Sequence, residues 1–84
     1  MEVYKTKGCP LCRRAIAILK EHRRSLGLRI RVRDITHDEE LLERHRIEIP
    51  VVFVAGKKRF MGRVDPALLR RAVEAFRNSH TRRT

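Results

Sequence analysis

The stretch that decides the fold is Val3-Tyr4-Lys5-Thr6-Lys7-Gly8-Cys9-Pro10-Leu11-Cys12 and the residues that follow it to Leu26. Glu2 to Thr6 carries Val3, Tyr4 and Thr6, types that suit a pleated, half-buried surface, and this predicts a short strand ended by Lys7-Gly8. From Pro10 to about Leu26 the apolar residues Leu11, Ala15, Ile18, Leu19 and Leu26 recur at helical spacing, with Arg13, Arg14, Lys20, Glu21 and Arg24 on other faces. Pro10 fits the first helical position, where its missing N–H would be unpaired in any case. Gly27 fits the end of the same helix.

Working outward, Leu28 to Ile35 alternates Leu28, Ile30 and Val32 with Arg29, Arg31 and Arg33, the period-two pattern of a strand with one buried and one wet face. Its charges suit an edge position. Thr36 or Asp38 then caps a short helix to about Arg46, with Asp38, Glu39 and Glu40 at its start and Leu41 and Leu42 toward the core. The unbroken run Val51-Val52-Phe53-Val54-Ala55 predicts a central strand covered on both faces. Gly56-Lys57 predicts the hairpin turn, and Lys58 to Met61 its return strand. Asp65-Pro66 combines a cap with a proline at the first helical position, followed by Leu68, Leu69, Ala72, Val73 and Phe76 on one face.

The element order is therefore β-α-β-α-β-β-α. Its first unit is long enough for a parallel right-handed crossover and its last two strands form an antiparallel hairpin, so an α/β fold with a mixed four-stranded sheet and helices on both faces follows. Residues 1–78 are expected to form a single domain, and residues 79–84 a disordered basic tail that frays from Asn78.

Composition bounds the function. A chain of 84 residues, 42% hydrophobic and 37% charged, is enough for one core and is not that of a disordered segment. The formal charge of +11, from 21 Lys and Arg against 10 Asp and Glu, favours nucleic acid, acidic proteins or anionic small molecules as partners and says nothing about chemistry. No apolar run is long enough to span a bilayer and no apolar signal region precedes the first strand, so a soluble cytoplasmic protein without membrane contact is the expectation; a monomer is expected as well. Two cysteines at C-x-x-C spacing argue against a multi-bridge secreted framework.

A cysteine immediately before a helix sits where unpaired N–H groups and the positive dipole end favour an anion. Cys9 occupies that position, with Lys7 and Arg13 near in sequence, and is the expected nucleophile. Cys12 lies on the same side of the first turn, further inside, and is the expected resolving thiol. Attack by Cys9 on a substrate disulfide, then by Cys12 on Cys9, would release the reduced substrate and leave a Cys9–Cys12 disulfide. Either glutathione or a reductase would restore the dithiol.

Three segments resemble the glutaredoxin family and, more widely, the thioredoxin fold: Tyr4 to Cys12, then Ile49-Pro50-Val51-Val52-Phe53-Val54, then Phe60-Met61-Gly62-Arg63-Val64-Asp65. They cover nearly the whole chain in the right order. The resemblance implies a thioredoxin-like fold and a thiol–disulfide oxidoreductase taking protein disulfides or glutathionylated substrates, with no bound cofactor and glutathione as a possible reducing co-substrate. It further implies that Pro50 is cis, that the Ile49 backbone pairs with substrate or glutathione beside Cys9, and that the Val64 N–H and Asp65 hold the γ-glutamyl end of glutathione. Three positions depart from the family pattern: Arg63 replaces the second glycine, Pro66 the second acidic residue, and Thr6 the lysine three residues before the nucleophile. Lys5 and Lys7 flank Thr6, and Lys7 joins the expected glutathione contacts. These departures touch the glutathione pocket and leave the dithiol intact. A group of compact glutaredoxin-like proteins of unassigned role is similar in the Gly62-Arg63-Val64-Asp65 region.

Other readings compete. A zinc site needs two further ligands, and His22, His37, His45 and His80 are scattered with none paired at ligand spacing. Iron–sulfur bridging between two subunits, known in some glutaredoxins, is the other metal alternative. The second-ranked function is a basic module binding nucleic acid or an acidic protein, through Arg29, Arg31 and Arg33 and through Arg70, Arg71, Arg77, Arg82 and Arg83. Tyr4, Phe53, Phe60 and Phe76 are the aromatic residues, mostly expected to be buried, so a base-stacking platform is poorly supplied.

Overall fold

A computed structural model describes the backbone of residues 1–81 and the side chains of residues 1–78. The elements are β1 (Glu2–Lys5), α1 (Pro10–Glu21), α2 (Arg23–Leu26), β2 (Arg31–Asp34), α3 (Glu39–His45), β3 (Val51–Val54), β4 (Lys57–Met61) and α4 (Pro66–Thr81). The sheet order is β2-β1-β3-β4, with β1 parallel to β2 and antiparallel to β3, and β4 antiparallel to β3. This is the expected mixed sheet.

Strand alternation divides the sheet into two faces. Val3 pairs with Val52 and Val52 with Phe60, so these three share one face. There they meet Ala15, Leu19 and Leu26 from α1 and α2, and Leu69 and Val73 from α4, in one buried cluster. Tyr4 and Phe53 point to the other face, where their rings lie 4.9 Å apart and His45 of α3 packs edge-on against Tyr4 at 5.6 Å. His45 is buried yet satisfied, since its Nδ1 lies 3.3 Å from Glu48, which also takes a 2.9 Å ion pair from Lys58. Helices thus cover both faces.

Several boundaries differ from the sequence expectation for physical reasons. The helix predicted from Pro10 to Leu26 is two helices, because His22 leaves helical geometry while its ring Nδ1 and backbone N–H both turn to the Ile18 carbonyl. Gly27, at φ 61°, then closes α2 in the left-handed region. The second strand begins at Arg31 and is exposed throughout, including Val32 at 43%, since it is an edge strand paired on one side only. Its apolar neighbours Leu28 and Ile30 pack on the core before the ladder begins, and Ile35 is buried after it ends.

The hairpin turn is Ala55-Gly56, not Gly56-Lys57. Val54 pairs with Lys57, and the two-residue loop between them requires positive φ at both positions, observed as 53° and 78°. Leu41 and Leu42 are only half-buried, while Leu68 and Phe76 of α4 are exposed and Leu69 and Val73 supply its core contacts. Tyr4 and Phe53 are half-buried rather than enclosed, because short α3 covers only part of their face. Helix α4 continues through Asn78 to Thr81 instead of fraying there. The rest of the expected tail, with Arg82 and Arg83, lies outside the described residues. Among the described residues no helix is long and apolar enough to cross a membrane.

Candidate active site

Strand β1 runs directly into the turn Lys7-Gly8, where Gly8 takes φ 67°, a left-handed conformation that favours glycine. Cys9 follows as the N-cap of α1, with extended backbone at φ −101° and ψ 105°. Its Sγ accepts the Cys12 backbone N–H at 3.2 Å, one of the donors that a helix start leaves unpaired. Pro10 occupies the first turn as expected. Cys9 is partly exposed, whereas Cys12 is 1% exposed. Burial pushes the Cys12 thiol up to about 11, and its hydrogen bond with the Cys9 side chain adds to the rise; the Thr6 backbone and Lys5 pull the other way.

A recess of about 170 Å³ surrounds the pair and is lined by Lys5, Thr6, Gly8, Arg13 and Ile16 besides the two cysteines. The turn that leads into it is tied to the residues around the end of β2. The Lys7 N–H donates to Thr36 Oγ1 at 2.9 Å, and Thr36 in turn donates to Asp34 through both its hydroxyl and its backbone N–H. These bonds, with Lys5 and Lys7 nearby, hold the Asp34 carboxyl below its usual range. Sequence reading missed this network, although Asp34-Ile35-Thr36 has the i, i+2 spacing of an Asx turn.

Pro50 arrives at the same end of the sheet by register, one step beyond the Tyr4–Val51 pair and therefore level with Lys5. The Ile49–Pro50 bond is cis, as the resemblance implied. Pro50 is buried and Ile49 half-buried, and the Gly62 N–H reaches the carbonyls of Pro50 at 2.9 Å and Glu48 at 3.0 Å. This ties the β4–α4 connection to the cis segment. Val64 in that connection is in the core cluster. Asp65 turns its carboxylate to the Ala67 N–H at 2.8 Å and acts as the helix cap. Lys7 has an exposed side chain beside Cys9 in sequence.

A second, smaller recess adjoins the motif at Leu11 and brings Val64 together with Arg14, Ile18, Gly62 and Arg63. A larger one, at the opposite end of the sheet, is lined by Arg29, Arg31, Tyr4 and Phe53 and contains no nucleophile. Among the described residues no three of His, Cys, Asp and Glu gather as a metal-ligand set.

The model of the glutaredoxin-like domain (DUF836) matches residues 1–74. The chain belongs to that family. No curated protein matches it in sequence. Among solved structures, this glutaredoxin-like chain is similar to structural genomics target protein XcR50 from X. campestris, with 22% identity, a TM-score of 0.75, and coverage of 88% of this chain and 95% of that one. That likeness establishes the thioredoxin-like fold.

Proposed function

We propose that this glutaredoxin-like protein is a thiol–disulfide oxidoreductase acting on protein or glutathione mixed disulfides through Cys9 and Cys12. The observation that carries this reading is the partly exposed Cys9 Sγ at the cap of α1, accepting the Cys12 N–H, above a buried Cys12. A thiolate at Cys9 would gain that donor and the helix dipole without any separate general base. Its attack on a substrate disulfide forms a Cys9–substrate S–S bond and expels one substrate thiolate, which takes a proton from solvent. Cys12 then loses its proton to solvent and attacks Cys9 Sγ, expelling the second substrate thiol. Two electrons pass to the substrate, and the protein is left with a Cys9–Cys12 disulfide. An external thiol, glutathione or a reductase, returns both electrons.

Ile49, Pro50, Val64, Asp65 and Lys7 are the proposed contacts for the substrate peptide or glutathione. Support is strongest for Ile49 and Pro50, at the cysteine end of the sheet, and weakest for Asp65, whose carboxylate already caps α4. No bound cofactor is needed. Reduction of a glutathionylated peptide by wild type, Cys9→Ser and Cys12→Ser tests the assignment. Activity is expected to vanish in Cys9→Ser and persist in part in Cys12→Ser; equal activity in wild type and Cys9→Ser overturns it.

A second reading, a basic binding module, draws on the charge of +11 and on the recess holding Arg29 and Arg31 over Tyr4 and Phe53. Salt-sensitive binding of single-stranded nucleic acid, unaffected by both serine substitutions, would favour it; no binding at moderate salt retires it.

A further inference from the structure

The rim of the cysteine pair is one-sided in charge. Leu11, between the two cysteines, borders a groove of about 150 Å³ whose apolar lining continues through Ile18 and Val64, and whose charged members are Arg14 from α1 and Arg63 from the β4–α4 connection. Both arginines are exposed, and among the described residues neither guanidinium makes a hydrogen bond or ion pair. On the other side of the motif, the recess around Cys9 adds Lys5 and Arg13. No carboxylate lines either recess; Asp65, two residues after Arg63, is engaged with the Ala67 N–H, and Asp34 with Thr36. Arg63 brings a cation and a long side chain to the groove from the β4–α4 connection.

We infer that the favoured substrate is a protein disulfide whose cysteine is flanked by an apolar and an acidic residue. This rests on the oxidoreductase reading. The apolar side chain enters the groove beside Leu11 and Ile18, and the carboxylate meets Arg14 and Arg63, whose planar forks suit carboxylate oxygens. Charge at such a rim acts mainly by steering encounter and fixing orientation, so it sets which disulfide reaches Cys9 rather than how fast sulfur exchanges once it arrives.

The test is single-turnover reduction, by the pre-reduced full chain, of three peptide disulfides that place leucine on one side of the cysteine and Glu, Gln or Lys on the other. Hydroxyethyl disulfide serves as an uncharged reference, and a glutathione mixed disulfide of the Gln peptide as a competitor. Two exposed charge pairs predict that the Glu peptide is reduced about fivefold faster than the Gln peptide, with the Lys peptide slowest. This Glu-to-Gln ratio should fall toward unity in Arg14→Gln/Arg63→Gln and at raised salt, and persist in Arg24→Gln on α2. Equal rates for the Glu and Gln peptides, with hydroxyethyl disulfide still reduced, overturn the inference and leave the oxidoreductase reading standing. A glutathione mixed disulfide outpacing the Glu peptide in a manner dependent on Arg14 and Arg63 overturns it too, assigning the groove to the tripeptide. Failure to reduce any disulfide overturns the oxidoreductase reading and this inference with it.

Discussion

The backbone N–H of Lys7 donates to Thr36 Oγ1 at 2.9 Å and so pins the turn before Cys9 to the residue chain that follows β2. Thr36→Val keeps the shape of the side chain and removes the acceptor. We expect Cys9 to react several-fold more slowly with a disulfide in that variant, because the nucleophile is presented less uniformly, while Thr36→Ser restores the rate. Circular dichroism should show the same fold in all three. Wild-type rates in Thr36→Val would remove Thr36 from any positioning role.

Cys12 makes stability depend on alkaline pH. Its thiol ionises near 9 when unfolded and at about 11 in the folded protein, so between those values the folded state holds more protons and stability falls as pH rises. The contribution is full below pH 9 and is lost as pH rises through 11. Urea unfolding of the reduced protein at a series of pH values, compared with Cys12→Ala, isolates this part: the variant should show a shallower decline over the same range.

Alkylation should discriminate the two thiols. Iodoacetamide at neutral pH is expected to modify Cys9 well before Cys12, since Cys12 is 1% exposed and remains protonated there. Peptide mapping after partial reaction reads the order, and preferential labelling of Cys12 would contradict the assigned roles.

Ala55 carries strain at φ 53° that its neighbour Gly56 does not. Ala55→Asn, which converts the loop to Asn-Gly, should stabilise the protein by about 0.5–1 kcal/mol, since only short polar residues and glycine enter the left-handed region readily. A lowered thermal midpoint would contradict this. In contrast, Leu19→Ala in the buried cluster should cost about 2–5 kcal/mol and lower the denaturation midpoint accordingly.

Much of this architecture was legible because the informative residues are close in sequence. Pro10 and Gly27 mark helix ends through their own dihedral preferences, and Val51 to Val54 reads as a central strand because every position is apolar. Cys9 and Cys12 were legible for the same reason. What escaped reading depends on partners supplied by the fold. The Lys7–Thr36 bond spans 29 residues, and nothing near Lys7 announces it. The alternation around Val32 was correct as a pattern, yet its burial depends on neighbours that an edge strand lacks. Arg14 and Arg63 share a groove because the fold lays the β4–α4 connection beside α1, far apart though they are in sequence.

The Cys12 N–H and the second sulfur of a Cys9–Cys12 disulfide would meet on a single atom, Cys9 Sγ. Closing the disulfide replaces a thiolate acceptor with a neutral, weaker one, so the cap on the first turn of α1 weakens as an ionised pair is oxidised. The amide proton of Cys12 becomes a built-in gauge of electron occupancy: slower to exchange with deuterium when Cys9 is a thiolate, faster in the disulfide, and readable without any attached dye.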